Sequence, residues 1–261
     1  MHRFYLPEED CREDSLTLTG AEAHHAIGVL RIKRGEHVAV LDGAGREFFC
    51  AVRAVERKAV TLAIDQIQTS PAPQCPVTLA QGIPKGKLFD AIIQKATELG
   101  AARIIPLLSE RVSAHLDEDG VKHKHEKWRQ TAIEAVKQCG RRWLPQVEPA
   151  MTLPALLARH DDVGLSLLGS LQKDARHPRG YFDPLPKSVR LWIGPEGDFS
   201  PGEVRLIQES GALPITLGRL VLRSDTAALY ALAVVSYELQ AVEGGVNYKP
   251  SPPLVSPPGA R

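Results

Sequence analysis

Apolar and polar residues alternate with a period of two through much of the first seventy positions, the spacing of half-buried strands. Ser15 to Thr19 alternates, Glu36 to Leu41 is apolar and β-rich, and Glu47 to Val55 and Ala59 to Ile67 continue the strand pattern. Gly43-Ala44-Gly45 lies between two of these runs and reads as a hairpin turn, while Ala21 to Leu30 reads as a helix. A small β-barrel-like domain over residues 1–70 accommodates them all. Thr69-Ser70-Pro71-Ala72-Pro73-Gln74-Cys75-Pro76 then has the composition of an inter-domain linker.

From residue 75 onward short apolar runs alternate with segments of helical period. Val77 to Ala80, Arg103 to Leu108, Val163 to Leu168, Val189 to Ile193 and Leu213 to Leu217 read as strands. Lys87 to Leu99 sets Leu88, Ile92, Ala96 and Leu99 on one helical face, and Lys127 to Cys139 and Pro201 to Ser210 are further helices. Such alternation predicts an α/β domain over residues 75–242, with a parallel sheet covered on both faces. The last helix, Ser224 to Ala241, is apolar nearly all round between Ala227 and Val235, so its own sheet cannot cover it alone. A second subunit is the expected cover. The proline-rich residues 243–261 are expected to be disordered.

Composition narrows the function classes. The 261 residues carry a net charge of only +1, yet basic residues recur from Lys85 to Arg142. A polyanion responds to a local patch and not to the net sum. Cys11, Cys50, Cys75 and Cys139 form no Cys-x-x-Cys pair, which argues against a zinc site or a disulfide scaffold. The N-terminus turns acidic where a secretion signal needs an apolar core, and no apolar run is long enough to span a membrane. A cytoplasmic location without membrane attachment is expected.

Two glycine patterns are decoys. Gly43-Ala44-Gly45 leads into a strand where a dinucleotide fingerprint needs a helix, and Gly82 to Lys87 is one residue short of a P-loop. His123, His125 and Glu126 sit on a lysine-rich segment that reads as a solvated helix start, so no metal site is expected. The informative stretch is Leu191 to Ser200 (LWIGPEGDFS), an apolar strand ending in a loop whose Gly194 and Gly197 flank Pro-Glu. Ser200, Pro201 and Glu203 then supply an N-cap, a first-turn proline and a capping-box partner for the next helix. Glycines at a strand's carboxyl end bring backbone close to a ligand, and open α/β sheets bind ligands there. Leu217 to Ala227 (LGRLVLRSDTA) is a second such junction. Its Arg223 precedes a helix N-terminus, where a cation is disfavoured without an anionic partner. Glu98 is the mirror case, a carboxylate in the last turn before Gly100, so the segment Gln94 to Gly100 is expected to have a specific partner.

QKATELG, IGPEG and LGxxxLRxxTA, in this order and spacing, resemble the knotted SPOUT methyltransferases, and among them the 16S ribosomal RNA uracil-N3 methyltransferases (ribosomal small subunit methyltransferase E family). The resemblance runs from His2 to about Leu239, with lesser matches at Pro84-Lys85-Gly86, Ser109-Glu110-Arg111, Glu134, Gln138, Gly140 and Arg141. Leu220, Asp225 and Cys139 stand where that family usually has arginine, glutamate and often serine. The resemblance implies a PUA-like β-barrel domain followed by a SPOUT α/β trefoil-knot domain. It also implies bound S-adenosyl-L-methionine and a homodimer in which both chains build each active site. Carried over, the cofactor pocket comprises Leu168, Gly169, Gly194, Glu196, Gly197, Leu217, Gly218, Leu222, Arg223, Thr226 and Ala227.

The implied substrate is a uridine of 16S rRNA in the small ribosomal subunit. Its N3 is a weak acid that must lose a proton to attack, so the site needs a cation for the developing anion, a base, or both. Arg223 is the candidate cation and Asp225 the candidate base, with Lys85, Arg111, Arg141 and Arg142 as candidate phosphate ligands. Two alternatives stay open at this point: a SPOUT ribose 2′-O-methyltransferase of rRNA or tRNA, and a non-catalytic RNA-binding assembly factor.

Overall fold

The period-two segments of the front region pair into one curled five-stranded sheet. Its strands are β1 (His2–Tyr5), β2 (Ser15–Leu18), β3 (His37–Leu41), β4 (Arg46–Val55) and β5 (Val60–Thr69), in the order β1-β3-β4-β5-β2. β1 runs parallel to β3, and the remaining pairs are antiparallel. Alternation sends Leu16, Leu18, Val38, Val40, Phe48, Cys50, Val52 and Leu62 into a single core, closed by Ala23 of α1 (Gly20–His24) and Ala26 in the wider turn that follows. Burial pushes the pKa of the Cys50 thiol up to about 12, and the side chain packs in this core as a small apolar group. The turn at Gly43-Ala44-Gly45 is held by the buried Asp42, whose carboxylate accepts the N–H of Ala44 at 2.8 Å and of Arg46 at 2.9 Å.

Seven parallel strands form the second sheet: β6 (Val77–Gly82), β7 (Arg103–Leu108), β8 (Gln146–Val147), β9 (Met151–Thr152), β10 (Leu165–Gly169), β11 (Val189–Ile193) and β12 (Leu213–Ile215). The order is β12-β10-β11-β6-β7-β8, with β9 also pairing with β7. Every residue of β11 is buried, because this strand is inserted between β10 and β6 and covered on both faces. One face carries α2 (Leu88–Glu98), α3 (Glu118–Cys139) and α6 (Ser224–Val242), whose Ile92, Trp128, Ala228 and Leu232 pack on Leu79 and Leu191. The other carries α4 (Leu153–Leu157) and α5 (Pro201–Glu209), where Leu156 and Ile207 pack on Ile105, Leu168 and Trp192.

The computed structural model describes residues 1–11, 14–86, 88–110, 118–172 and 174–242. Arg111, Lys87 and the expected tail at 243–261 lie outside the described residues. Among the described residues no helix is long and apolar enough to cross a membrane. The capping box at α5 is complete: Ser200 Oγ accepts the Glu203 N–H at 3.2 Å, and the Glu203 carboxylate accepts the Ser200 N–H at 2.8 Å. α3 begins at Glu118, well before the expected Lys127, since its first turns are polar and give no apolar period to read. The short elements β1, β8, β9 and α4 were not expected either. Two to five residues hold too little pattern, and long-range pairing partners fix them instead.

Candidate active site

β10 and β11 end side by side, and the chain leaves β11 and β12 through the two glycine junctions. The loop from Gly194 to Ser200 and the loop from Thr216 to Arg223 rise from these ends and enclose a cleft of about 630 Å³, measured to its open mouth. Ligand sites of open α/β sheets lie at this edge.

The backbone of the first loop folds tightly over its own base. A Cβ on Gly194 would sit 2.5 Å from Asp198 Oδ1 and 2.9 Å from the Phe199 nitrogen, so only glycine fits. Gly82, at the end of β6, meets Pro195 in the same way, with the proline Cδ 2.5 Å from an added Cβ. A three-way polar stitch then joins this loop to the last helix. Gln81 Nε2 donates to the Gly82 carbonyl at 2.8 Å and to Ser224 Oγ at 2.9 Å, and Ser224 Oγ donates to the Gly194 carbonyl at 2.6 Å. Gln81 is fully buried, so nothing in the solvent competes for these bonds. Neither Gln81 nor Ser224 was expected as a site residue. Their chain separation of 143 positions hides the contact from any local reading.

Seven of the eleven expected cofactor ligands line the cleft: Gly169, Gly194, Glu196, Leu217, Gly218, Leu222 and Ala227. Ser170, Ile193, Pro195, Asp198 and Ser224 also line it and complete the same loops. Gly197 belongs to the same loop, between two lining residues. Leu168 is different: its side chain is buried in the cluster beneath α4 and α5, because strand alternation points it to the other face. Thr226 is exposed on the outer side of α6 and does not line the cleft.

Arg223 stands exposed at the cleft's edge, and its guanidinium has no hydrogen bond or ion pair with the described residues. The internal anion that its position calls for is absent among the described residues. Asp225, two residues on, has its Oδ1 buried without a hydrogen-bond partner. Lys85 is brought to the same rim through its backbone, since the Glu196 carboxylate accepts the Lys85 N–H at 3.1 Å. A parallel bond tethers the next loop, where Glu203 accepts the Glu110 N–H at 2.9 Å.

Several cations of the basic run are engaged within the protein. Arg141 donates to the carbonyls of Thr97 at 3.1 Å, Gly100 at 3.1 Å and Ala101 at 2.6 Å, so it caps the end of α2. Burial pushes its guanidinium below the ordinary arginine value, which marks a group taken out of solvent. Arg142 donates to Glu47, Gln68 and Ser70 in the front sheet. Both arginines, expected as phosphate ligands, make internal contacts with their guanidinium groups. The partner expected for Gln94 to Gly100 is Arg141, while Glu98 is matched within its own helix by Lys95 at 2.9 Å. Arg103, Lys127 and Lys137 are likewise paired with carboxylates.

Comparison with known proteins places this geometry. Residues 70–236 match the RNA methyltransferase domain, and residues 18–65 match the RNA methyltransferase PUA domain. The ribosomal RNA small subunit methyltransferase E of Bacillus subtilis is 32% identical, over 94% of this chain and 99% of its own. A Legionella pneumophila protein solved with the cofactor SAM superimposes with a TM-score of 0.82 at 34% identity, over 92% of this chain and 96% of its own. The ribosomal RNA small subunit methyltransferase E of Neisseria gonorrhoeae, bound to S-adenosyl methionine, gives 0.81 at 27% identity over 91% and 97%. With its PUA-type front sheet, its parallel sheet and its two glycine junctions, the chain belongs to the ribosomal RNA small subunit methyltransferase E family.

Proposed function

We propose that this protein transfers a methyl group from S-adenosylmethionine to N3 of a specific uridine in the 16S rRNA of the small ribosomal subunit, in the cytoplasm. The observation that carries the reading is the cleft itself, formed where the glycine junctions close over the ends of β10 and β11. Its residues fit the cosubstrate. Gly169, Gly194 and Gly218 leave room for a ligand to approach the backbone, and Ile193, Leu217, Leu222 and Ala227 offer apolar walls for an adenosine. When bound, S-adenosylmethionine supplies an activated methyl carbon, and the protein's share is orientation and electrostatics.

Arg223 is the candidate to stabilise the uridine anion: it is an exposed cation beside the cleft that, among the described residues, has no partner to release first. Asp225, whose inner carboxylate oxygen accepts no hydrogen bond, is the candidate to take the N3 proton. Lys85 at the rim and Arg111 are the candidates to hold RNA phosphates, now that Arg141 and Arg142 are accounted for.

A second copy of the chain completes the unit in this reading. Thr226, Tyr230, Ala233 and Tyr237 form an exposed stripe along α6, with Tyr237 70% exposed, and Leu220 and Val221 extend it at 76% and 78%. Apolar surface of this extent beside a cleft marks an association site. The knot belongs to the same proposal: after the edge strand β12 the chain returns to pack α6 on α2, β6 and β11. Sedimentation equilibrium at micromolar concentration is expected to give twice 28.5 kDa, and a fully active monomer overturns the dimer.

Single-turnover methylation of small subunits from cells lacking the gene tests the reaction, with nucleosides identified by mass spectrometry. N3-methyluridine is the expected product, whereas a ribose-methylated nucleoside or no product refutes the assignment. Arg223→Ala is expected to slow the step about a hundred- to thousandfold while cofactor affinity stays within a few-fold. A variant at wild-type rate removes Arg223 from the mechanism.

A further inference from the structure

Where the two sheets meet, the chain builds a charged latch that the chemistry of methyl transfer does not use. Glu47, on β4 of the front sheet, is buried with only 4% of its surface exposed. Its carboxylate accepts Arg3 Nε at 3.2 Å on one oxygen and Arg142 Nε at 3.1 Å and Nη2 at 3.0 Å on the other. Arg142 belongs to the segment after α3, so this bond crosses between the sheets. The same guanidinium also donates to Ser70 Oγ at 2.9 Å and Gln68 Oε1 at 2.6 Å.

The backbone follows the side chains. Gly45 N–H donates to the Arg142 carbonyl at 3.1 Å, and Leu144 N–H donates to the Gly43 carbonyl at 2.9 Å, so residues 142–144 pair with the front hairpin turn. Trp143 Nε1 donates to the carbonyls of Ser70 and Pro71, and its ring lies 2.7 Å from where a Gly45 Cβ would stand. A glycine turn that reads as a plain hairpin is thus also the socket for this tryptophan. Domains joined through polar surface move relative to each other by default. Here Arg142 and Trp143 donate across to the front region, while Arg3 holds the same carboxylate from within the front sheet.

Position gives the latch its meaning. Gln146 pairs with Arg103 at the start of β7, so the latch lies at the amino edge of the sheet. The cleft lies at the carboxyl edge, and the 22-residue α3 runs the intervening distance, roughly 33 Å at 1.5 Å per residue. The geometry points to Glu47, with Arg3 and Arg142, as a positioning element that fixes the angle of the RNA-binding front domain. RNA held about one helix length away would then present its target nucleotide to the cleft without a search. This inference rests on the proposed rRNA substrate.

Glu47→Gln separates this role from a direct RNA contact. If Arg142 and Arg3 met phosphates, removing the carboxylate beside them would free two cations and lower the KM for small subunits. A positioning role predicts the opposite: KM for small subunits about tenfold higher, with kcat at saturating substrate and calorimetric cofactor affinity unchanged. KM unchanged or lower in a variant that binds cofactor normally overturns the inference, and so does a kcat that falls in step with KM. Should Glu47→Gln fail to fold, Glu47→Asp, whose shorter carboxylate cannot span both arginines, is read by the same criteria. A wild-type enzyme inactive on small subunits would refute the substrate assignment instead, before any variant is compared.

Discussion

The cofactor cleft and the domain latch lie at opposite edges of one parallel sheet and are built from opposite materials. The cleft is glycine, main chain and apolar wall, with its few polar side chains spent on stitching loops together. The latch is two arginines on one buried carboxylate. Each material suits its task. A ligand needs close access to backbone, which a Cβ would block, whereas a fixed angle between two sheets needs directional bonds that only one arrangement satisfies. Charge density along the chain therefore does not separate free cations from those that hold the fold. Arginines cluster where the protein grips itself.

Two substitutions sharpen this contrast. The larger effect is expected from Gly194→Val, which drives a branched side chain into Asp198 and the Phe199 backbone and fills the floor of the cleft. Calorimetry should then detect no cofactor binding, and the thermal shift given by S-adenosylmethionine should vanish. A folded Gly194→Val protein with wild-type affinity would move the binding site away from this loop. The smaller effect belongs to Arg141→Ala, at the amino edge. It strips three carbonyls at the end of α2 of their donor, a loss of about 2 kcal/mol and roughly 4–8 °C in melting temperature. RNA affinity and its salt dependence should stay within a factor of three. If instead the RNA salt slope falls by about one while the melting temperature holds, Arg141 is a phosphate ligand and the cap is incidental.

Much of this was legible along the chain, for identifiable reasons. The strands Arg103–Leu108 and Val189–Ile193 were read to the residue, because both are short apolar runs bounded by polar positions. The start of α5 was equally clear, since Ser200, Pro201 and Glu203 form a local motif whose bonds all lie within four residues. The glycine junctions marked the cleft correctly as a place. Individual side chains were harder: Leu168 was expected in the pocket and points to the other face, while Ser224 lines the cleft and Gln81 donates to Ser224, both unannounced. The expected anion at Arg223 and the expected partner of Gln94 to Gly100 were sound as questions. The answer to the second came from Arg141, forty residues downstream of the carbonyls it caps.

The sequence by itself determined the longer elements, the change from antiparallel to parallel architecture near residue 70, and the two glycine-bearing loops at the strand ends. These follow from local physics, namely side-chain period, capping bonds and the steric freedom of glycine. Only the tertiary structure decided which charges are free. An arginine reads the same in sequence whether it faces solvent, caps a helix or clamps a carboxylate, because its fate depends on acceptors that arrive from distant segments. Among the described residues Arg223 has no internal acceptor and Arg142 has three, a difference that separates the edge with the cleft from the edge with the latch.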